Sequence, residues 1–406
     1  MEIEILKRSH LKRNILIAVV VVLIISAVIL NFTRARYRVT ESIPLVNGVI
    51  NYTAPDLNAI ALYVDGVSTD TLPTGNYELT SESYCEINGE RAEVTLSYDS
   101  SIKTLTVAPF TARGTKCYLY FEESKSAADI IEGLYEDNQD ILAYDGTTDN
   151  NLRYIGADPA NYVYFNCSNY SNPSSSTCEL WRIIGIFDEN THGVSGEKLV
   201  KLIRNDSLGN RGYDNSDTND WSSASLQEEL NGDYLNRRGD YSSTGITAET
   251  RNMIETVTWK LGGIPSESIN TVSAYEYERG TDVYSGHATE WEGRIALMYF
   301  SDYGHATSGG GSTGREDCLS YTLRNWDTAA LCYNNDWIYT GSAQLILTPS
   351  SSDSSTVFGV SDDGEIYSGL AYYPSGGVRP SLYLTSEVRI SGGTGTSTNP
   401  YTLSSN

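Results

Sequence analysis

Residues 180–187 read Leu-Trp-Arg-Ile-Ile-Gly-Ile-Phe, an almost unbroken apolar run that follows a polar loop. A run of this length and composition is typical of a buried β-strand. The neighbouring segments 162–165 and 198–204 are also apolar and rich in aromatic or β-branched side chains, which favours two further strands. We expect these three strands to open a domain that occupies residues 151–406.

Two helices are predicted after these strands. The first covers 222–232, because Ser222 can cap it and Asn231-Gly232 can end it. The second covers 247–263 and begins at Thr247. Later strands are predicted at 295–300, 344–348, 357–360 and 382–384. Two helices among many short strands and long loops predict an α+β domain.

A smaller module is expected at residues 39–123. Its apolar segments are short and alternating, and turn-forming pairs such as Asp65-Gly66 and Asn88-Gly89 separate them. This pattern predicts a small all-β module, sandwich-like and close to the membrane, that acts as a spacer. Residues 124–150 are expected to form a short helix and a linker.

Residues 15–30 form an apolar run without a charged side chain, and two further residues extend it to about 27 Å as a helix. That length predicts a transmembrane anchor over 14–33. A cleavable signal peptide is the alternative, but the small-residue cleavage candidate falls inside the run. All cysteines follow the run, and disulfides belong to oxidising compartments. We therefore expect a single-pass cell-membrane protein with residues 1–13 in the cytoplasm and the C-terminal ectodomain outside.

The chain carries a net charge of −24 and has 30 tyrosines among its 406 residues. An acidic surface repels nucleic acid, which argues against a DNA- or RNA-binding role. Many tyrosines among Ser, Thr, Asn and Gly favour β-rich domains with broad polar-aromatic faces.

The six cysteines permit fifteen pairings, and their spacing favours local pairs. The predicted disulfides are Cys85–Cys117, Cys167–Cys178 and Cys318–Cys332. The sequence contains no C-x-x-C pair, which argues against a zinc site.

Three histidines follow the apolar run, and two of them, His287 and His305, each lie in a Gly-His-Ala-Thr tetrapeptide. The repeat suggests a paired metal or acid–base site, but coincidence in a Gly-, Ser- and Thr-rich chain is the favoured interpretation. The sequence has no nucleophile elbow, zinc-protease motif or Walker loop. We therefore predict no catalytic residue, and a binding protein is favoured over an enzyme.

Residues 214–220 read Asp-Asn-Ser-Asp-Thr-Asn-Asp and are rich in oxygen ligands. An EF-hand loop requires glycine at its sixth position and glutamate at its twelfth, where this chain has Asn219 and Ser225. A loosely bound calcium ion is the one cofactor that the sequence leaves open, and a polar surface loop is the favoured interpretation.

Aromatic side chains crowd residues 291–339, interleaved with Asn, Asp, Gly and Ser. Flat rings beside amide and carboxylate groups suit sugars, which present apolar faces and hydroxyl edges. The candidate ligand-binding residues are Trp291, Tyr303, His305, Tyr333, Trp337 and Tyr339. The alternative is that most of these rings pack in the core, with Trp326 and Trp337 as the strongest core candidates.

An ordered series of motifs lies between residues 151 and 403. It includes Trp-Arg-Ile-Ile-Gly-Ile-Phe at 181–187, Lys-Leu-Ile-Arg-Asn-Asp-Ser at 201–207, Trp221 with Leu226-Gln227 and Leu230-Asn231, Met298-Tyr299 with Ser-Asp-Tyr-Gly at 301–304, Asn-Asp-Trp at 335–337, Leu-Thr-Pro at 347–349 and Gly-Val-Arg-Pro at 377–380. This series resembles a recurring domain of uncharacterised cell-surface proteins of Gram-positive and gut bacteria. Such domains are distantly similar to the C-type-lectin-like fold, including its formylglycine-generating-enzyme branch. The resemblance therefore implies a C-type-lectin-like α+β domain.

Function does not follow from that resemblance, because fold and activity separate readily. Calcium-dependent lectins of this fold use Glu-Pro-Asn or Gln-Pro-Asp with Trp-Asn-Asp, whereas this chain has Asn335-Asp336-Trp337 in another order. The oxidase branch needs a redox-active cysteine pair, whereas Cys318 and Cys332 are expected to be structural. Many relatives carry a prepilin-like Gly-Phe-Thr-Leu signature that this chain lacks, so pilus assembly is not indicated.

The leading hypothesis is a membrane-anchored bacterial surface protein whose distal domain binds a glycan or a protein through aromatic loops, as in adhesion. One alternative is an extracellular enzyme, which would require two or more of His287, His305, Asp302 and Glu292 within hydrogen-bond reach. Another is a purely structural envelope protein with no small ligand.

Overall fold

The computed structural model describes residues 57–74, 77–99, 102–108, 115–374 and 376–405. The chain divides into two compact units at a boundary between Ser124 and Lys125. We call them the first unit and the second unit. The expected cytoplasmic segment at 1–13 and the expected anchor at 14–33 lie outside the described residues.

The described residues of the first unit lie mostly in strands and the turns between them. The strands are β1 (Leu57–Val64), β2 (Val67–Thr69), β3 (Tyr77–Leu79), β4 (Tyr84–Ile87), β5 (Glu90–Arg91), β6 (Thr95–Asp99), β7 (Thr104–Ala108) and β8 (Thr115–Glu123). The main sheet has the order β2-β1-β8-β4-β5, and β3 also pairs with β8. β1 and β8 are parallel, whereas β6 and β7 form a separate antiparallel hairpin.

Strand β8 organises the core of the first unit. Its side chains alternate, and Cys117, Leu119 and Phe121 are buried. This period of two turns one face of the strand inward. Leu105 of β7 belongs to the same core, so the hairpin packs against the sheet.

The second unit contains the remaining described strands and all the described α-helices. Its strands are β9 (Leu142–Tyr144), β10 (Leu152–Tyr154), β11 (Tyr162–Phe165), β12 (Glu179–Phe187), β13 (Leu199–Arg204), β14 (Asn210–Arg211), β15 (Val257–Lys260), β16 (Glu290–Gly293), β17 (Ile295–Ala296), β18 (Gly309–Gly310), β19 (Thr313–Gly314), β20 (Gln344–Pro349), β21 (Thr356–Val360), β22 (Ile366–Leu370), β23 (Gly376–Gly377), β24 (Ser381–Tyr383), β25 (Arg389–Gly392) and β26 (Thr402–Ser404). Its helices are α1 (Ala127–Gly133), α2 (Glu189–His192), α3 (Ser225–Glu229), α4 (Ala248–Asn252), α5 (Thr271–Arg279), α6 (Phe300–His305), α7 (Arg315–Ser320) and α8 (Ala330–Tyr333).

An antiparallel sheet with the order β17-β24-β13-β12-β10-β9 forms the centre of the second unit, and β11 also pairs with β12. Both β12 and β13 are buried along most of their length, on both faces. Their nearly continuous apolar sequences therefore match their position, because a strand covered on both sides needs no polar face. A second sheet, β14-β23-β20-β21-β22, lies in the same unit.

Residues 124–150, expected to be a helix and a linker, contribute to the second unit. Helix α1 begins after Ser126, whose hydroxyl accepts from the backbone N–H of Asp129 in a capping box. Ala127, Ala128 and Ile131 are buried in the core of the second unit. Strand β9 then adds to the edge of the central sheet.

The two predicted helices differ from the observed ones. The first begins at Ser225 and continues past Asn231-Gly232 as a π-turn, Leu230–Tyr234. Gly232 does not end it, because the Asn231 amide bonds to the backbone of Ile295 and holds the segment in place. The second, α4, ends at Asn252, and the β-branched residues that follow form β15.

The predicted α+β class with a membrane-spanning helix is wrong. The structure is 20% helical and 35% strand. The longest uninterrupted α-helix among the described residues, α5, has nine residues. In the part of the chain that the structure describes, no helix has both the length and the apolar character needed to cross a bilayer. Frequent β-branched residues and glycines confine the described helices to short connections between strands.

Candidate ligand-binding cleft

An open cleft of about 430 Å³ lies on the second unit, where loops after β10 and β13 approach the segment between α8 and β20. Polar and aromatic side chains dominate its lining: Asp158, Tyr162, Arg182, Asn205, Asp206, Trp337, Tyr339, Gln344 and Arg379. We call it the arginine cleft. Its volume lies in the usual range of small-molecule sites, about 300–1,000 Å³.

Buried charge distinguishes the arginine cleft from two other clefts of the described chain. Arg182 and Arg379 are only 5% and 4% exposed. A cleft beside Cys332 is lined mainly by Thr, Ala and Leu and has no Lys, Arg, Asp or Glu. A third cleft holds the Arg211–Glu229 pair, whose side chains are more than one-third exposed.

Strand β12 places Arg182 at the floor of the cleft. Its Nε donates to Asn161 Oδ1 at 2.8 Å, and its Nη2 lies 3.3 Å from Asp158 Oδ1. The guanidinium carbon lies 4.0 Å from the centre of the Tyr162 ring and 4.7 Å from that of Trp337. Burial lowers the pKa of Arg182, although the Asp158 carboxylate opposes the shift. The side chain is therefore held in place by hydrogen bonds through Nε and Nη2 and by two aromatic rings.

Arg379 reaches the same floor from the connection between β23 and β24. Its Nη1 donates to Gln344 Oε1 at 2.8 Å and to the Ile338 carbonyl at 3.0 Å, and its Nε donates to the Arg204 carbonyl at 2.8 Å. Burial, followed by the like charge of Arg182, lowers the pKa of Arg379 to about 9. All three acceptors are neutral.

Asp336 is a buried carboxyl group that interacts electrostatically with both arginines. Its Oδ1 accepts from the backbone N–H of Ile338 at 2.9 Å, and its Oδ2 has no hydrogen-bond partner among the described residues. Burial raises the pKa of Asp336 well above its usual range, although Arg379 and Arg182 oppose the shift. Among the described residues, neither oxygen of Asp336 lies within 4.0 Å of a nitrogen of Arg182 or Arg379, whose one ion pair is that of Arg182 with Asp158.

Two tyrosines form part of the aromatic rim of the cleft. Tyr162 is half-buried, and its hydroxyl donates to Asp158 Oδ1 at 2.8 Å. Tyr339 is also half-buried, and its hydroxyl donates to the Asp362 carbonyl at 2.6 Å. Trp337 is almost fully covered, and its indole N–H donates to the Tyr154 carbonyl at 2.8 Å. Tyr162 and Tyr339 therefore offer ring surface to a ligand, whereas Trp337 supports Arg182 from below.

The structure separates the six candidate ligand-binding residues. Trp337 and Tyr339 line the arginine cleft, and Tyr333 packs edge-on against Tyr339 with ring centres 5.1 Å apart. Tyr303 is fully buried, and its hydroxyl donates to the Gly364 carbonyl. Trp291 is half-buried on β16 and contacts Trp221. The structure thus places two of the six in the cleft, and a ligand-binding role for them stays a prediction.

His305, the sixth candidate, is fully buried beside a cluster of charged side chains. In that cluster Arg153 lies 2.8 Å from Asp145 and 2.7 Å from Asp302, whose other oxygen lies 2.6 Å from Lys201 Nζ. Burial and then the charge of Arg153 hold the pKa of His305 well below its usual range. Neither ring nitrogen of His305 has a hydrogen-bond partner among the described residues. A side chain with no exposed surface cannot contact a ligand in this structure.

The residues expected of an enzyme do not form a catalytic group. His287 is half-buried in a surface loop against Tyr284, and Glu292 is exposed on β16. Asp302 and His305 lie on the same buried helix, but no hydrogen bond joins them. Within the described part of the chain, the hydrogen-bond reach that the enzyme hypothesis requires is not met.

Several polar side chains of the oxygen-rich loop at 214–220 form hydrogen bonds within the protein, although Asn219 Oδ1 is buried without a partner among the described residues. Asp214 Oδ2 accepts from the backbone of Ser216 and Thr218, and its Oδ1 accepts from the backbone of Ser225. The Asn219 amide donates to three backbone carbonyls. Across the described residues, no group of three or more His, Cys, Asp or Glu side chains could hold a metal ion. These contacts account for the polar composition of the loop.

The six cysteines form three disulfides, Cys85–Cys117, Cys167–Cys178 and Cys318–Cys332, with no free thiol among them. This is the pairing that their spacing predicts. Cys85 and Cys117 lie directly opposite each other on β4 and β8. Three disulfides fit an extracellular protein, because oxidising compartments allow such bonds to persist.

Sequence reasoning missed the two arginines of the cleft. Arg182 interrupts an apolar strand, and Arg379 lies between Val378 and Pro380 in a segment that is otherwise apolar or small. A charged residue inside a buried run could have indicated a functional site, because such residues are rarely buried without a partner.

The chain matches no protein-family model, and no curated protein or solved structure shows significant similarity to it.

Proposed function

We propose that the second unit is a carbohydrate-binding module and that its ligand occupies the arginine cleft. The observation that carries this proposal is the half-buried pair of tyrosines, Tyr162 and Tyr339, beside fixed polar groups in one cleft. A sugar ring stacks an apolar face on an aromatic ring while its hydroxyls bond to amides and charged groups. Asn205 and Asp158 provide such groups.

The cleft is fixed in shape before a ligand arrives. Arg182 is held by Asn161, Asp158 and two rings, and Arg379 is held by three oxygen atoms. A site that is already ordered loses little conformational entropy on binding. The three disulfides support an extracellular location, where glycans of other cells or of the surrounding matrix are accessible.

A glycan array tests the proposal. The purified 406-residue chain is compared with Tyr162→Ala, which removes a ring from the cleft rim, and with Tyr373→Ala as control. Tyr373 is 59% exposed and does not line the cleft. We expect selective binding by the unaltered chain and the control, and at least a tenfold weaker signal from Tyr162→Ala, in line with the loss of one stacking contact.

Each array is repeated with a chelator. We expect binding to persist, because the cleft uses arginine, amide and aromatic groups. Loss of binding in chelator would indicate that the glycan binds at a metal-dependent surface and would overturn the assignment to the arginine cleft. Equal binding by Tyr162→Ala and the unaltered chain would also overturn it.

A further inference from the structure

The arginine cleft contains more buried positive charge than its carboxylates neutralise. Among the described residues, no carboxylate oxygen lies within 4.0 Å of the Arg379 guanidinium, which donates instead to two carbonyls and to the Gln344 amide oxygen. Arg182 has a single carboxylate partner, Asp158, through one nitrogen at 3.3 Å. The Asp158 side chain is 65% exposed. Two nearly buried cations thus share one solvated anion.

The other carboxyl groups near the cleft do not correct this imbalance. Asp206 is exposed on the rim, where its Oδ1 accepts from the Asn205 amide. Asp336 is buried, and its Oδ1 is occupied by backbone N–H groups. Burial raises the pKa of Asp336, and neither of its oxygens comes within 4.0 Å of the Arg182 or Arg379 guanidinium.

A buried cation without a full counter-charge is unfavourable, and an incoming anion can relieve that cost. The guanidinium group is suited to this role because its N–H groups donate charge-assisted hydrogen bonds to the oxygens of carboxylate or sulfate. Nε and Nη1 of Arg379 already donate to the protein, and so do Nε and Nη2 of Arg182, so an anion would accept from the remaining nitrogen of each. The position of both arginines at the floor of an open cleft makes the imbalance accessible to a ligand.

We infer that the saccharide bound in the arginine cleft carries an anionic group, which pairs with Arg379 and Arg182 while its ring lies against Tyr162 or Tyr339. The inference rests on the proposed function and narrows it to one chemical class. Uronic and sialic acids supply a carboxylate, and sulfated sugars supply a sulfate ester. Both classes of sugar present negatively charged oxygen atoms that a guanidinium group can bind.

A purely structural role for Arg379 makes a different prediction. Arg379 braces the Arg204 and Ile338 carbonyls, so its replacement lowers stability in either case. A structural residue would alter the binding of neutral and anionic sugars equally. Replacement of an anion-binding residue would change the ratio of the affinity for the anionic sugar to the affinity for the neutral sugar. That ratio is the decisive measurement.

Calorimetric titrations of the full chain use sugars matched except for charge. The pairs are sialyllactose with lactose, sulfated lactose with lactose, and trigalacturonate with its methyl ester. In at least one pair, we expect the anionic sugar to bind at least ten times more tightly than its neutral partner. The pair with the largest ratio identifies carboxylate or sulfate as the group that the cleft takes.

Three variants accompany these titrations. Arg379→Gln is expected to reduce the anionic-to-neutral ratio to about one while neutral binding remains, and Arg379→Lys is expected to give an intermediate ratio, because it keeps the charge without the planar fork. Arg238→Gln removes an exposed arginine outside the cleft and is expected to leave the ratio unchanged. Thermal melts verify that each variant is folded.

The failures of the two proposals are distinguishable. If neutral and anionic sugars bind equally, the inference about charge is overturned and the carbohydrate-binding proposal stands. If the folded chain binds neither class, both are overturned. If the anionic preference survives Arg379→Gln, the inference that this cleft provides the preference is overturned.

Discussion

Asp302 is a fully buried carboxylate that pairs with two buried cations in the interior of the second unit. It lies within 2.7 Å of both Arg153 and Lys201, and it accepts from the Tyr299 backbone N–H at the start of α6. Both cations are completely buried. Burial lowers the pKa of Lys201 to about 8, so the lysine relies on Asp302 to keep its charge.

We expect Asp302→Asn to lower the free energy of unfolding by about 3–5 kcal/mol, because it leaves two buried cations with too little negative charge. Urea denaturation measures the change. The matched control is Glu290→Gln, which breaks the ion pair with Lys260 but lies on the surface. Its expected effect is below about 1 kcal/mol. Similar losses in both variants would contradict the importance assigned to burial.

The same carboxylate should make stability sensitive to acid. Burial raises the pKa of Asp302, but Lys201 and Arg153 outweigh that effect and hold the pKa well below its usual range. Its stabilising contribution is therefore complete above the unfolded-state pKa near 4 and is lost as pH falls towards the folded-state value.

Protonated Asp302 resembles asparagine, so we expect the stability gap between the original chain and Asp302→Asn to shrink from about pH 5 downward. Urea midpoints at several pH values measure the gap. If the difference in the free energy of unfolding between the two chains is the same at pH 6 and pH 3, the charge of Asp302 does not contribute to stability as expected.

At this scale the sequence predicts locally determined features well and distant partners poorly. The disulfide pairs follow from short loops, so spacing suffices to find them. Arg182 and Arg379 are 197 positions apart, and their shared position in one cleft depends on the assembled sheets. Asp302 and His305 could be singled out, but their burial could not, because it depends on the elements that cover α6.

Among the short elements, too, the sequence predicts those that depend on local residues better than those that depend on distant partners. The turns Asp65-Gly66 and Asn88-Gly89 have positive φ at both positions, as a two-residue hairpin turn requires, and the sequence prediction is confirmed there. The prediction of a helix over 247–263 is wrong beyond Asn252, because Val257–Lys260 forms a strand that pairs with β16. A turn is decided by its own residues, whereas a strand needs a partner.

Helix α6 packs closely against α5 at Gly304. A Cβ atom there would lie 2.1 Å from Thr271 Oγ1, so we expect Gly304→Ala to cost about 1–3 kcal/mol. Gly133 in α1 is the matched control, since a Cβ there meets nothing within 4 Å. Gly133→Ala should stabilise by up to about 1 kcal/mol. Thermal melts that shift in the same direction for both would contradict the packing described for α6.

At the scale of the whole molecule, the first unit relies on its disulfide. Its described core contains six buried residues, and two of them are Cys85 and Cys117. The bond closes a separation of 32 residues, worth about 4 kcal/mol in the chain-entropy model. A small core leaves little margin for such a loss.

We therefore expect the double variant Cys85→Ala, Cys117→Ala to accelerate hydrogen exchange along β8 strongly. Exchange measured by mass spectrometry locates the effect. The comparison is Cys167→Ala, Cys178→Ala, whose shorter loop joins β11 and β12 in the larger core of the second unit. Unchanged protection of β8 would show that packing alone holds the first unit together.

The net charge of −24 opposes the approach of an anionic sugar. Salt screens that long-range repulsion, with a Debye length of about 8 Å at physiological ionic strength. For the anionic probe we expect the association rate constant to rise with salt, whereas the neutral probe should show no change. Surface plasmon resonance at several salt concentrations measures both. A falling rate constant would mean that the local field of the two arginines exceeds the global charge.

The buried network around Asp302 has a consequence for how the second unit forms. Its cations reach Asp302 across 149 and 101 positions of the chain, so no short segment can complete the network alone. We expect each charged group to stay hydrated until its partners are in place, because burying an unpaired charge is costly. Removal of water from this part of the interior would then require three stretches that are distant in the sequence to come together.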